Sequence, residues 1–325
     1  MTRSQPPPLH AGPNGVLVCD KSQGMTSHDV VLRIRRALGV RQVGHSGTLD
    51  PMATGVLVLA VGEATKLVPW LTAQDKSYDA SVELGVETDT GDANGAILKR
   101  ERVADTLREA LAQWCERGNA PALQHAIEVE RARTLQVPPA HSAIRVGGVR
   151  AYSLARRGEE LYLPPRSVGV LRLEVTACRS EPPGIDLSLD VTKGYYVRAL
   201  ARDLAQSLGT VGHLTQLRRV RSGAFSVADA VSISASSTDL IHSMQSVAVA
   251  AARALPAARL TDLGVLDARH GRKVRAEDLL AGGPGLCAWL DARGTLVAVG
   301  EVHPDGQGSV VRGFAQATSE ESPRP

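Results

Sequence analysis

The stretch VGHSGTLDPMATGVLVLAVGEATK, Val43 to Lys66, sets one acid, Asp50, between a glycine turn and a proline. The run Val56 to Val61 that follows is continuously apolar and reads as a buried strand. Gly47 and Pro51 mark the loop that feeds it. Asp before Pro commonly closes a turn with its own carboxylate, and by spacing alone that is the simplest role for Asp50. Two catalytic loops are excluded by pattern. A phosphate-binding loop needs G-x-x-x-x-G-K-[ST], and no such lysine follows these glycines. A nucleophile elbow needs G-x-S-x-G, yet Ser46 is followed directly by Gly47.

Working outward, the 325 residues suit two domains. A 43% hydrophobic and 22% charged composition is enough to bury a sizeable core. The net charge is only +3, so nucleic-acid binding requires a local basic face rather than a polycationic chain. Cys19, Cys115, Cys178 and Cys287 are widely separated and form no C-x-x-C pair. That speaks against a zinc or redox site and for reduced cysteines in a cytoplasmic protein. No apolar run reaches the roughly 18 residues of a membrane span. Residues 1–13 and the stretch after Phe314 read as polar tails without a signal core.

The coarse organisation follows from periodicity. GVLVCD, from Gly15, reads as a strand. A helix is expected from His28 to Leu38, capped by Ser27 and stopped at Gly39. Its Arg33 and Arg36 lie off the apolar face, where they either meet solvent or contact phosphate. EATKLVPWL suggests a short helix, and ERVADTLREALAQW a longer one. KSYDASVELGVETDTGDANGAILKR alternates like a hairpin turning at Thr88 to Gly95. Asp89 and Asp92 in that turn lack calcium-loop spacing and read as turn polars. Residues 131–166 form a basic, mobile excursion with a short helix near Tyr152 to Arg157. Strands follow at Val168–Cys178 and Ile185–Thr192, then a helix ending at Gly209. An Ala/Ser-rich connector spans Ser234 to Pro256. GRKVRA, GLCAWLD and TLVAVGEV then suggest a small β-rich unit over residues 257–316.

GHSGTLDPMATGVLVLAVGEATK resembles the central motif of the TruB family of pseudouridine synthases. GVLVCDKSQGMTSHDVV, KSYDASVELGVETDTGDANG, PPAHSAIRVGGVRAYSLARRG, VTKGYYVRALARDLAQSLG and HLTQLRRVRSGAF resemble its other motifs, in order, across most of Gly15 to Phe225. The resemblance implies an α+β pseudouridine synthase fold with a mixed, largely antiparallel central sheet over 14–250, followed by a PUA-like RNA-binding domain over 257–316. It implies isomerisation of uridine at position 55 in the TΨC loop of tRNA, with tRNA as partner and no metal, cofactor, membrane or obligatory protein partner, in a chain acting as a monomer. Asp50 matches the catalytic aspartate. Tyr78 matches the tyrosine that stacks on the uracil, Arg198 the arginine paired with the carboxylate, and His45 the histidine that fills the space left by the extruded base. Lys21 and Leu217 match pocket-lining positions. Arg145, Arg150, Arg156 and Arg157 would contact the RNA backbone.

These residue types suit that chemistry. A carboxylate can attack the base or the anomeric carbon, or stabilise a cationic sugar. Burial alone would raise its pKa, and a bidentate arginine opposes that. A tyrosine offers a π-face for a base and a hydroxyl near the carbon-5 proton. Two rival functions remain: an RNA-folding module that remodels tRNA without chemistry, and a related synthase acting on another RNA, for example through a guide. The chain departs from the family pattern at Ser22, where proline is usual, at Ser46 for threonine, and at His141, where an aromatic is usual. The segment before His141 lacks the customary Phe-x-Gly.

Overall fold

The computed structural model describes residues 12–315 apart from 143, 147–148, 152–153, 155–156 and 158–161. The tail over residues 1–13 therefore falls almost wholly outside the described residues, as does the end of the chain from 316.

The chain opens with β1 (Gly15–Lys21), α1 (Ser27–Leu38), β2 (Val43–Ser46) and β3 (Thr54–Val61). The EATKLVPWL segment folds as a 3-10 turn, Gly62–Leu67, continuing into α2 (Val68–Thr72). Then come β4 (Lys76–Leu84), β5 (Val86–Thr88), β6 (Ile97–Arg100), α3 (Asp105–Arg117) and α4 (Pro121–Arg131). The excursion contributes β7 (Leu135–Gln136), β8 (Arg145–Val146), β9 (Val149–Arg150) and β10 (Arg166–Ser167). It leads into β11 (Val170–Ser180), β12 (Pro183–Val191), the helix Val197–Ser207 and β13 (Gly212–Ser222). The short strands β14 (Phe225–Ser226) and β15 (Val231–Ser232) complete the central sheet.

That sheet runs β11-β12-β4-β13-β3-β1-β15, with β2 on β3 and β14 on β13. Only β13 with β3 and β1 with β15 are parallel, so it is mixed and largely antiparallel, as expected. One face carries Tyr78, Ala80, Val82, Leu187, Leu189 and Leu217, packed with Leu107, Leu111, Leu123, Ile127, Leu200 and Leu204 from three helices. On the other face Val16, Val18, Val56 and Val58 share an apolar cluster with Ala288, Leu296, Val299 and Phe314. The alternation of β4 decides this: Tyr78, Ala80 and Val82 are buried while Asp79 is exposed.

Several local expectations are corrected. Thr26, not Ser27, caps α1, in a capping box with Asp29. Thr26 already has extended backbone, so the helix starts one residue earlier and the buried Ser27 hydroxyl is freed for another task. Arg33 is exposed, in keeping with the solvent-facing alternative, and its Nε also donates to the Ile233 carbonyl at 2.8 Å. The hairpin reading holds only at its tip, where β5 pairs β6; β4 pairs β12 and β13, because its buried face needs partners with matching apolar rows. The Ala/Ser-rich connector is two helices, Ser237–His242 and Val247–Ala254, each capped by a serine and burying Leu240, Ala250 and Ala251. The first lies against α1, and small residues let the second pack close to β1, a signal that composition hides.

The C-terminal region forms a four-stranded sheet, β16 (Ala257–Arg259), β17 (Gly285–Leu290), β18 (Leu296–Val302) and β19 (Gly308–Gly313), in that order. GRKVRA is not a strand; it contributes one bridge, Val274 to Gly308. A helix, Asp262–Arg269, lies on this sheet and was not legible in the periodicity. Among the described residues no helix is long and apolar enough to cross a membrane.

Candidate active site

Asp50 sits in the seven-residue connection between β2 and β3, and each end of that loop is fixed. The turn after it is closed by backbone, the Ala53 N–H donating to the Asp50 carbonyl at 3.0 Å. The carboxylate is thus not needed as a turn cap, and it points to Arg198 instead. Nε of Arg198 lies 2.9 Å from Asp50 Oδ2, and Nη2 donates to Oδ1 at 3.1 Å. This forked contact fixes the carboxylate plane as well as its place.

The arginine is itself held on all sides. Nη1 donates to the Thr90 carbonyl at 2.8 Å and Nη2 to the His141 carbonyl at 2.8 Å. Asp92 Oδ2 stands 4.0 Å from Nε. Asp92 was read from sequence as a turn polar; it is buried, and its position beside Arg198 is a feature that spacing did not reveal. The departure at His141 is harmless to this arrangement, since the residue supplies its backbone carbonyl. The Arg198 side chain is 6% exposed and that of Asp50 31%, so the carboxylate alone of the pair is open to a ligand. Burial pushes the Asp50 carboxyl above its ordinary range; Arg198 opposes this, Asp92 adds to it, and Lys21 opposes it more weakly.

The loop is supported from below. Lys21 is fully buried, and its Nζ donates to the carbonyls of Met25 (2.7 Å), Ser22 (3.0 Å) and Pro51 (3.4 Å). Burial pushes its pKa down to about 8. Lys21 therefore braces the loop beside Asp50, rather than facing open space in the pocket. The Ser27 hydroxyl accepts from the Leu49 N–H (2.8 Å) and donates to the Leu49 carbonyl (3.2 Å). Arg219, unremarked from sequence and 1% exposed, donates from Nε to the Val56 carbonyl (2.7 Å) and from Nη2 to the Gly47 carbonyl (3.1 Å). Gly55 makes room for it. Its φ is +100°, and a Cβ there would lie 2.2 Å from the Arg219 carbonyl oxygen.

The other expected residues gather around this frame. Tyr78, 9% exposed, stands between Leu189 and Arg219 across β12, β4 and β13. Leu217 is buried in the same apolar cluster as Tyr78, Leu49 and Met52. His45 lies on β2 opposite Leu59, and its Nδ1 is buried without a partner. Burial, with Arg219 and His28 nearby, pushes its pKa down, which favours the neutral ring. Tyr196, two residues before Arg198 and passed over in the sequence reading, is a further, half-buried phenol whose hydroxyl feels the charges of both Arg198 and Asp50. Its position in the motif GYYVR was the available signal.

The excursion arginines are described unevenly. Arg145 and Arg150 are backbone register partners in the β8–β9 ribbon. Arg157 is exposed, with its N–H bonded to the Leu154 carbonyl at 2.9 Å. Arg156 and most of the expected Tyr152–Arg157 helix lie outside the described residues. Behind Arg198, a cavity of about 370 Å³ is lined by Thr88, Thr90, Gly91, Ala140 and Gln206; Asp50 does not line it. No cluster of metal-ligating side chains occurs among the described residues.

A single arginine-held carboxylate, open on one side and carried on a braced loop, suits an acid–base or nucleophilic centre. Comparison with known proteins gives the class. The family model for the TruB pseudouridylate synthase N-terminal domain matches residues 35–197, and that for the tRNA pseudouridylate synthase B C-terminal domain matches 198–248. The chain is 42% identical over 301 residues to the tRNA pseudouridine synthase B of Mycobacterium sp. (strain KMS), covering 91% of this chain and 95% of that one. It is 42% identical over 267 residues to the namesake from Thermobifida fusca (strain YX), covering 80% and 86%. A chain in the structure of an H/ACA ribonucleoprotein bound to a substrate RNA containing 2'-deoxyuridine shares the fold, with a TM-score of 0.65 and 22% identity over 93% of this chain and 85% of that chain. The chain belongs to the TruB family of pseudouridylate synthases.

Proposed function

We propose that the protein converts uridine to pseudouridine at position 55 in the TΨC loop of tRNA, with Asp50 as the catalytic group. The observation that carries this is the forked Asp50–Arg198 contact, which leaves one carboxylate face accessible on a braced loop. The relatives named as tRNA pseudouridine synthases support tRNA as the substrate.

The reaction breaks the bond from uracil N1 to the anomeric carbon, rotates the base, and forms a bond from carbon 5 to the same carbon. The carbon-5 proton is lost and N1 gains one, so atoms and electrons balance within the nucleoside. Asp50, ionised, attacks the base or the sugar or stabilises a cationic sugar. Arg198 holds its orientation and favours the charged form. Tyr78 presents a ring on which the uracil stacks, and its hydroxyl lies on the path of the carbon-5 proton. The base must first leave the folded loop. His45, neutral and planar, fills the space it vacates. Lys21 and Leu217 support the pocket, and Arg145, Arg150, Arg156 and Arg157 contact the RNA backbone. Residues 14–250 form the catalytic domain, and residues 257–316 a PUA-like RNA-binding domain.

Tritium release from unmodified tRNA labelled at uridine carbon 5 tests this. Wild type should release label, Asp50→Asn should not, and replacing uridine 55 by cytidine should abolish the specific signal. Asp50→Asn should bind tRNA nearly as well as wild type. Release by Asp50→Asn at the wild-type rate would remove Asp50 from the mechanism.

A further inference from the structure

The β7–β10 ribbon, at the base of the excursion, reaches the site directly. Gln136 is 2% exposed, and its amide closes on the backbone of Tyr196. Nε2 donates to the Tyr196 carbonyl at 3.2 Å, and Oε1 accepts the Tyr196 N–H at 2.9 Å. Tyr196 immediately precedes the helix that carries Arg198. Arg166 stands opposite Gln136 in the antiparallel register. Directly opposed residues share one face of a ribbon, with Cβ atoms about 5 Å apart. The Arg166 side chain therefore leaves the ribbon on the face that meets Tyr196, and it is exposed. Burial pushes the Tyr196 hydroxyl up, and Arg166, ahead of Arg198, pulls it back, which agrees with that placement.

What separates Arg166 from its neighbours is that it is uncommitted. Arg198 holds Asp50, Arg218 holds Asp20, and Arg133 holds Glu130. Arg202 pairs with Asp203, Arg172 and Arg221 both reach Asp190, and Arg219 is spent on two carbonyls. Among the described residues around the site, Arg166 is the arginine with no carboxylate or carbonyl partner. An exposed guanidinium with its donor fork free, on the ribbon that grips the Tyr196 backbone two residues before Arg198, matches a phosphodiester in charge and geometry.

We propose that Arg166 binds the phosphodiester flanking the target uridine and fixes the RNA backbone where the base leaves its stack. This rests on the synthase reading above and adds a residue and a ligand group to it. The extruded base swings about its backbone, so clamping the adjacent phosphate limits the swing to the one that delivers uracil to Asp50.

The test uses the full chain and a T-arm stem-loop RNA, in four forms: all phosphates native, the phosphate on the 5' side of the uridine replaced by a neutral methylphosphonate, that on the 3' side so replaced, and one phosphate remote in the stem so replaced. Arg166→Gln should weaken binding of the native RNA about tenfold and make the slope of log affinity against log salt shallower by about 0.7 to 0.9. Arg166→Lys should keep most of the slope, since the charge remains. Neutralising one of the two flanking phosphates should weaken wild type but leave Arg166→Gln unaffected, whereas the remote replacement should weaken both equally. Thermal stability should change little, because among the described residues the side chain has no carboxylate or carbonyl partner to lose. An unchanged salt slope in Arg166→Gln, or full additivity with the methylphosphonate on both sides of the uridine, would overturn the phosphate site. Absence of tritium release by wild type on the same RNA would instead overturn the synthase reading, and the binding measurements would still decide on Arg166.

Discussion

Replacing Arg198 by methionine keeps the length and apolar stem of the side chain and removes the fork that holds Asp50. Two charge-assisted contacts, at 2.9 and 3.1 Å, are lost at once. Each such bond contributes about 1.5 to 3 kcal/mol. The Asp50 side chain is 31% exposed, so water recovers part of this, and we take about 3 kcal/mol as the net effect on the catalytic geometry. At about 1.4 kcal/mol per tenfold, kcat should fall roughly a hundredfold or slightly more. A second signature concerns pH. Burial raises the Asp50 pKa, Asp92 raises it further, and Arg198 is the main opposing influence. Without Arg198 the carboxyl should stay protonated to higher pH. Activity that requires the ionised form should then be lost earlier as pH falls, so the acid limb of the kcat profile should move upward. Arg198→Lys keeps the charge without the fork and should shift the limb less while still lowering kcat. Single-turnover tritium release across pH, with the melting temperature recorded beside it, measures all of this. A hundredfold loss with an unmoved acid limb would refute the electrostatic role of Arg198, and a full-strength kcat would refute its role in holding Asp50.

Other perturbations test the frame. Gly55→Ala introduces a Cβ that would sit 2.2 Å from the Arg219 carbonyl at a φ of +100°, so it should cost about 3 kcal/mol or more of stability, read by urea unfolding. Ser27→Ala removes both contacts to Leu49 in a buried place and should cost about 1 to 3 kcal/mol, with kcat reduced more than affinity because Leu49 adjoins Asp50. Lys21 has its folded pKa lowered to about 8 from 10.5, so between those values the unfolded chain holds the proton that the folded chain has given up. Stability should therefore gain from this group as pH rises through that window, and Lys21→Met should flatten the rise seen in unfolding curves taken at about pH 8 and about pH 10.

Much of the protein was legible in its residues. Uninterrupted apolar runs in β1 and β3 announced strands buried on both faces, and the alternation in β4, β11 and β12 announced a sheet with one covered face. Asp50 was legible as a candidate site because ordered motifs surrounded it, not because of its own spacing, which suited a turn cap better. The motif resemblance implied the Asp50–Arg198 pair, which meets across 148 positions. What the sequence could not supply was the other partners brought together from afar: Arg219 meets Gly47 across 172 positions, and Gln136 meets Tyr196 across 60. Such contacts depend on strand order and register, and periodicity reports only which face a residue occupies. For the same reason Asp92 read as a turn residue, and Arg219 as one arginine among several in RRVR. Local sequence determined the strands, the helix faces and the loop that carries the acid. Apart from the Asp50–Arg198 pair that the motifs implied, the tertiary structure decided which cation each acid would meet, because only the packed sheet sets distances at which one charge can hold another.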